Sequence, residues 1–200
     1  MDEERLKRQF DFIREIDKEK RIVRETYLTG AVRKETDAEH AWHMAVMTVL
    51  LAEYAEEKID VLKTVTMLLI HDLVEIDAGD TYAYAGVSHE DQHRREAACA
   101  DRLFAMLPGD QGRKFRALWE EFEEGETAEA RFAHTMDNIQ PMMLNDAAGG
   151  RAWREHGIRL SQVLRRNART KDGSAALWEY AFSRFIAPHI GRELADDREI

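Results

Sequence analysis

Met67-Leu68-Leu69-Ile70-His71-Asp72-Leu73-Val74-Glu75-Ile76-Asp77-Ala78-Gly79-Asp80 is the stretch on which the reading of this chain turns. Four apolar residues open it and His71, Asp72 and Glu75 follow at once, so imidazole and carboxylate groups are attached to a segment suited to burial. Inside a core such groups are costly unless they are paired, hydrogen-bonded or bound to a cation. If the stretch is helical, Asp72 and Glu75 are three residues apart and His71 and Glu75 four apart, which puts them on one face. A His-Asp dipeptide alone is most often a helix-surface pair or a satisfied core histidine. Here the apolar run argues against a solvated face. The following Asp77-Ala78-Gly79-Asp80-Thr81 ends the helix in a Gly-bearing turn, where carboxylates can face a cleft.

The rest of the chain bounds what such a site could serve. Two hundred residues with 44% apolar content suit one domain with a real core. No stretch of about 18 uncharged apolar residues occurs, and the charged opening MDEERLKRQF is no signal peptide, so a cytoplasmic location is expected. A single cysteine, Cys99, excludes an internal disulfide framework and a cysteine-rich zinc site. The net charge of −10, with no basic patch, speaks against nucleic-acid polymers and anionic membranes as partners. A small anionic substrate remains compatible with it if a metal and a few arginines supply local positive potential.

Three prolines, the lack of alternating β-branched runs, and Ala, Leu, Glu, Arg and Met at helical spacing predict an all-α helical bundle. The first helix is expected over about Glu3 to Arg24, followed by a loop from Thr26 to Thr36. Thr36-Asp37-Ala38-Glu39 has capping-box spacing and starts the second, with His40 in its first turn and His43 three residues on. Asp60 caps a third helix, Val61 to Ile76. A loop from Thr81 to Val87 leads to a fourth helix, about His89 to Leu107, stopped by Pro108-Gly109. Further helices are expected over Asp110 to Glu124, Ala128 to about Leu144, Trp153 to about Arg169 and Ser174 to Ile190. With no repeat or linker, one domain over 1–200 is expected, its metal-site part at about 21–145 and the helices of 153–190 packed on it.

Asp137 lies inside an apolar helical run with no basic residue one turn away on either side: positions 133, 134, 140 and 141 are Ala, His, Gln and Pro. A buried unpaired aspartate needs a reason. His40, His71, Asp72 and Asp137 are therefore metal-ligand candidates. Their order, together with Ala38-Glu39-His40-Ala41-Trp42, Leu69 to Ile76 and Ala78-Gly79-Asp80-Thr81, resembles the H…HD…D signature of HD-domain metal-dependent phosphohydrolases, an all-helical family. The surrounding residues resemble its 5′-deoxynucleotidase-like branch, which includes bacterial 5′-deoxynucleotidases and the HD-domain-containing protein 2 group. The likeness runs from about Arg21 to Asn145 and takes in Leu118-Trp119-Glu120-Glu121-Phe122-Glu123.

The resemblance implies a phosphomonoester hydrolase that removes the 5′-phosphate of (deoxy)nucleoside monophosphates. It makes His40, His71, Asp72 and Asp137 the ligands of one divalent ion. A mixed nitrogen and oxygen set suits Mn, Co, Fe, Ni or Zn better than Mg. Glu75 takes the place of the family's acid/base carboxylate, and Asp80 that of a residue near the sugar or leaving group. Arg24 matches, within one residue, an arginine that orients the phosphate, although the relative continues with Trp where this chain has Glu25; Arg33 is the second candidate. Glu123 stands where a substrate contact is expected, and Asn138 could orient Asp137. His43 reads as a packed residue. Family precedent and surplus aromatics suggest a homodimer. The rivals are another HD phosphohydrolase, acting on cyclic nucleotides, ppGpp or nucleoside triphosphates, and a non-catalytic helical module fastened by a metal.

Overall fold

A computed structural model of the chain describes residues 2–79, 84 and 89–198, with the backbone alone at 89 and 90. Helices dominate it, as expected, and the longest of them organises the rest. α7 (Ala128–Ala147) buries Phe132, Ala133, Met136 and Ile139 and is packed by α2 (Asp37–Leu51), α3 (Val61–Ile70) and α6 (Gly109–Glu124). The apolar core runs from Met44 and Met67 through Trp119 and Phe132 to Trp153, Leu160 and Ile186. No helix among the described residues is long and apolar enough to cross a membrane.

The first helix is shorter than expected. α1 (Glu3–Ile16) starts at an Asp2 cap and stops at Ile16; a 3₁₀ turn over Asp17–Arg21 follows, and then a strand. β1 (Val23–Tyr27) pairs antiparallel with β2 (Lys34–Thr36), where helix and loop are predicted from the sequence. Val23, Thr26 and Tyr27 favour extended backbone. Gly30, at φ 78°, supplies the left-handed residue that reverses the chain between the strands. The ribbon is a structural element with a purpose: it places Arg24 and Glu35 beside the start of α2.

The capping box at that start is complete, Glu39 Oε2 accepting from the Thr36 amide at 2.9 Å and Thr36 Oγ1 from the Glu39 amide at 3.4 Å. The predicted helix Val61 to Ile76 breaks where the site begins. α3 ends at Ile70, a 3₁₀ turn covers His71–Val74, and α4 (Glu75–Ala78) ends on Gly79 at φ 75°. His71 Nδ1 donates to the Leu68 carbonyl at 2.9 Å, competing with the backbone amide that would continue the α-helix.

α5 (His89–Phe104) ends short of Leu107, while α7 runs past Leu144 and carries Pro141 in its interior. Pro141 has no N–H to give the Asp137 carbonyl one turn before it. The two long helices predicted after Trp153 are short pieces instead: α8 (Arg151–Glu155), α9 (Leu160–Arg166), α10 (Thr170–Gly173) and α11 (Ala175–Ala181), then a wide turn over Phe182–Ile186. Gly157 at φ 58° separates α8 from α9, and Asn167 ends α9 by turning its side-chain amide onto the Val163 carbonyl at 2.8 Å.

Candidate metal centre

Three elements meet over α7. The first turn of α2 brings in His40, the 3₁₀ turn after α3 brings in His71 and Asp72, and the middle of α7 brings in Asp137. His40, His71 and Asp72 each offer a ligand atom, and these atoms all lie within 4.8 Å of one another. Asp137 Oδ1 is 3.1 Å from His40 Nε2 and 3.9 Å from His71 Nε2, and Asp72 Oδ1 is 3.1 Å from His71 Nε2. The four candidates read from the sequence are thus brought together.

Hydrogen bonds on the far side of each ring decide what the near side can do. Gln140 donates its Nε2 to Glu35 Oε2 at 2.9 Å, which turns its Oε1 to His40 Nδ1, 2.9 Å away, as acceptor. His40 Nδ1 therefore carries the proton, and Nε2 presents a lone pair to the Asp137 carboxylate. His71 is oriented the same way, its Nδ1 proton held by the Leu68 carbonyl and its buried Nε2 facing Asp72 Oδ1 at 3.1 Å. Lone pairs facing carboxylate oxygens repel unless a cation lies between them. The donor set therefore fits a divalent metal, with the rings oriented from behind.

The charges agree. Burial, with the Arg24 guanidinium, holds His40 below its ordinary pKa. Burial also disfavours charge on His71, but Asp72 and Asp137 outweigh it and raise that imidazole well above its usual value. Burial would raise Asp72 and Asp137; His71 with Arg24 keeps the first below the carboxylate range, and His40, His71 and Arg166 keep the second far below it. The centre holds ionised carboxylates and calls for positive charge between them, as a proton on His71 or as a metal ion.

A model of the HD domain family matches residues 16–178. The chain belongs to the HD domain family. Among HD relatives, a bovine protein named 5′-deoxynucleotidase HDDC2 is 31% identical over 133 residues, which is 66% of this chain and 63% of that protein. Its human counterpart is 29% identical, over 66% of this chain and 64% of its own length. The match thus spans just under two thirds of these curated relatives. A crystal structure of a predicted metal-dependent phosphohydrolase from Magnetospirillum magnetotacticum MS-1 is 45% identical and superposes with a TM-score of 0.90, over 96% of this chain and 97% of that one.

Arg24, the phosphate candidate, is turned into the HD centre. Its Nη1 donates to Asp72 Oδ2 at 2.9 Å and Asp37 Oδ1 at 3.0 Å, and its Nε lies 3.8 Å from Glu35 Oε1. Arg33 sits apart, forked onto Glu39 in an exposed groove of about 770 Å³ with Lys20, Lys34 and Trp42. Glu75 is buried one turn beyond Asp72 and interacts with Asp37, whose carboxyl pKa it helps to lower against the pull of burial. Glu123 lies 3.4 Å from His93 Nδ1. Burial and Glu96 raise its pKa, against His93 and His71. Asn138 donates to Thr170, not to its neighbour Asp137. Asp80 lies outside the described residues.

Five residues around the centre are missing from the sequence reading: Glu19, Glu35, Asp37, Gln140 and Arg166. Burial pushes Glu19, Glu35 and Asp37 up to about 7. Asp37 hides in a capping-box sequence, which already explains an acid there. Gln140 carries a usable signal, an amide three residues after Asp137 on an otherwise apolar helix face.

Proposed function

We propose that this HD protein is a metal-dependent phosphomonoesterase that removes the 5′-phosphate of (deoxy)nucleoside monophosphates in the cytoplasm. The observation that carries the reading is the convergence of His40, His71, Asp72 and Asp137, with both Nε2 atoms facing the ligand carboxylates. The relatives named 5′-deoxynucleotidase support the substrate class. His40, His71, Asp72 and Asp137 would hold one divalent ion, of Mn, Co, Fe, Ni or Zn rather than Mg. When bound, such an ion lowers the pKa of water toward 7 and polarises a phosphoryl oxygen.

The chain's own residues supply the rest. Gln140 and the Leu68 carbonyl orient the two rings. Arg24 fixes Asp72 and offsets part of the negative charge of Glu35, Asp37 and Asp72. Glu75, buried beside the ligand set one turn beyond Asp72, is the acid/base residue, taking up and releasing a proton at its carboxyl oxygen. Asp80 serves the sugar or leaving group, and Glu123 contacts substrate from α6. Purified protein is expected to release phosphate from dAMP or dTMP with added Mn or Co and to lose that activity to a chelator. Protein loaded with any of these metals that releases no phosphate from a nucleotide panel would end this reading.

The partner we propose is a second copy of the chain. Ala41 to Ala52 contains no Asp, Glu, Lys or Arg, so α2 is apolar on its outer face as well as its inner one. Trp42, Val46, Val49 and Leu50 on α2 and Leu62 and Leu69 on α3 are exposed. α2 and α3 pack side by side on α7, which turns both stripes outward together. A large apolar surface on a chain of net charge −10 lets two copies meet where neither carries charge. Light scattering should give a dimer for the native protein and a monomer for Val49→Asp combined with Leu62→Asp. A monomeric native protein at tens of micromolar would refute it.

A further inference from the structure

Among the described residues, two guanidinium groups are hydrogen-bonded to the metal-ligand candidates, and they are placed very differently. Arg24 is 16% exposed and committed to Asp72, Asp37 and Glu35. Arg166, the last residue of α9, has a side chain 45% exposed. Its one hydrogen bond among the described residues is a long one, from Nη2 to Asp137 Oδ2 at 3.3 Å. That oxygen is the far one of the carboxylate whose Oδ1 faces His40 and His71. The guanidinium thus stands at the rim of the centre, nearly half exposed, with one of its five N–H donors given to Asp137 among the described residues.

The platform beneath Arg166 is built with care for position. Asn167 and Thr170 are buried, and the Thr170 hydroxyl donates to Asn167 Oδ1 at 3.3 Å while accepting from Asn138 Nδ2 at 3.0 Å. Thr135 Oγ1 donates to the Thr170 carbonyl at 2.7 Å. Both Thr135 and Asn138 belong to α7 and flank Asp137, so the end of α9 is tied to the helix that carries a ligand candidate. A surface arginine present only for solubility needs no such anchoring.

We propose that Arg166 is the residue that receives the substrate phosphate, and that Arg24 is a structural counter-charge for the ligand carboxylates. The inference rests on the phosphomonoesterase reading for its substrate. Its physical basis is separate: a dianion approaching Asp72 and Asp137 needs donors not already spent on carboxylates, and a guanidinium can engage two phosphate oxygens at once.

The test uses full-length protein, native, Arg166→Ala and Arg166→Lys, with three readouts: manganese affinity, affinity of the manganese-loaded protein for inorganic phosphate, and kcat and KM on dAMP. Arg166→Ala should weaken phosphate binding and raise KM by about 10–100-fold, a loss clearly larger than the accompanying loss of manganese affinity, which the contact to Asp137 makes measurable. Lysine should restore part of the loss, since it keeps the charge without the fork. Unchanged phosphate affinity in Arg166→Ala overturns the proposal. So does a loss of manganese affinity as large as the loss of phosphate affinity, which would make Arg166 a positioning residue for Asp137. Native protein that binds no phosphate with manganese present also overturns it. Failure of native protein to hydrolyse dAMP would remove the functional reading instead, and the phosphate titration would still decide the role of Arg166.

Discussion

Asp72→Ala is expected to abolish turnover and to weaken metal binding by more than about 100-fold, since even partners behind the ligands cost 10–100-fold when removed. Asp72 offers Oδ1 to the space beside His71 Nε2, at 3.1 Å, and Oδ2 to Arg24, at 2.9 Å. Its loss removes one of two carboxylates from the ligand set and frees a guanidinium beside the metal position. The variant should nonetheless fold. Burial is the first reason that Glu19 and Asp37 resist ionisation, and Asp72 is the next in both cases. Removing its charge relieves them, which offsets the lost Arg24 contact. Circular dichroism and metal titration on Asp72→Ala and Asp72→Asn separate folding from ligation. Native-like metal content with activity within tenfold of native would mean that Asp72 is not a ligand.

Gly173→Ala should destabilise the protein by about 2–3 kcal/mol, the cost of forcing atoms into a filled space. For a chain of this size that lowers Tm by about 5–10 °C. A Cβ at Gly173 would overlap the Arg131 carbonyl and the Thr135 hydroxyl. Neither can retreat cheaply. The carbonyl belongs to the backbone of α7, and the hydroxyl already bonds the Thr170 and Arg131 carbonyls. The Gly173 carbonyl also accepts from the Glu56 amide at 3.0 Å, which fixes the turn from the other side. Here glycine is required by close approach and not by its backbone angles. Because α10 follows α9 directly, the same substitution should shift Arg166. A melting curve superimposable on that of native protein would show that α10 does not press on α7 so closely.

The helical class, the helix starts near Glu3, at Thr36, at Asp60 and near Ala128, and the ligand candidates His40, His71, Asp72 and Asp137 are legible in the amino-acid order. They are local matters: caps act over three residues, and an acid or imidazole inside an apolar run is anomalous wherever it folds. The ribbon of Val23–Tyr27 and Lys34–Thr36 escapes a helical reading because a short strand acquires its stability from a partner strand several residues away. The break at Ile70 escapes it because the His71 ring competes for a carbonyl only once it is held in place.

Position around the site belongs to the tertiary structure. Nothing in the spacing of Arg24 and Arg33 tells that one locks onto Asp72 and the other onto Glu39. Nothing near Arg166 shows that the end of α9 reaches Asp137, 29 residues earlier in the chain. Gln140 and Glu35, 105 residues apart, become partners only when α7 crosses the ribbon. Sequence by itself determines which groups are too polar for their surroundings. Packing decides which of them face one another, because the direction of a side chain depends on the neighbours that hold its backbone.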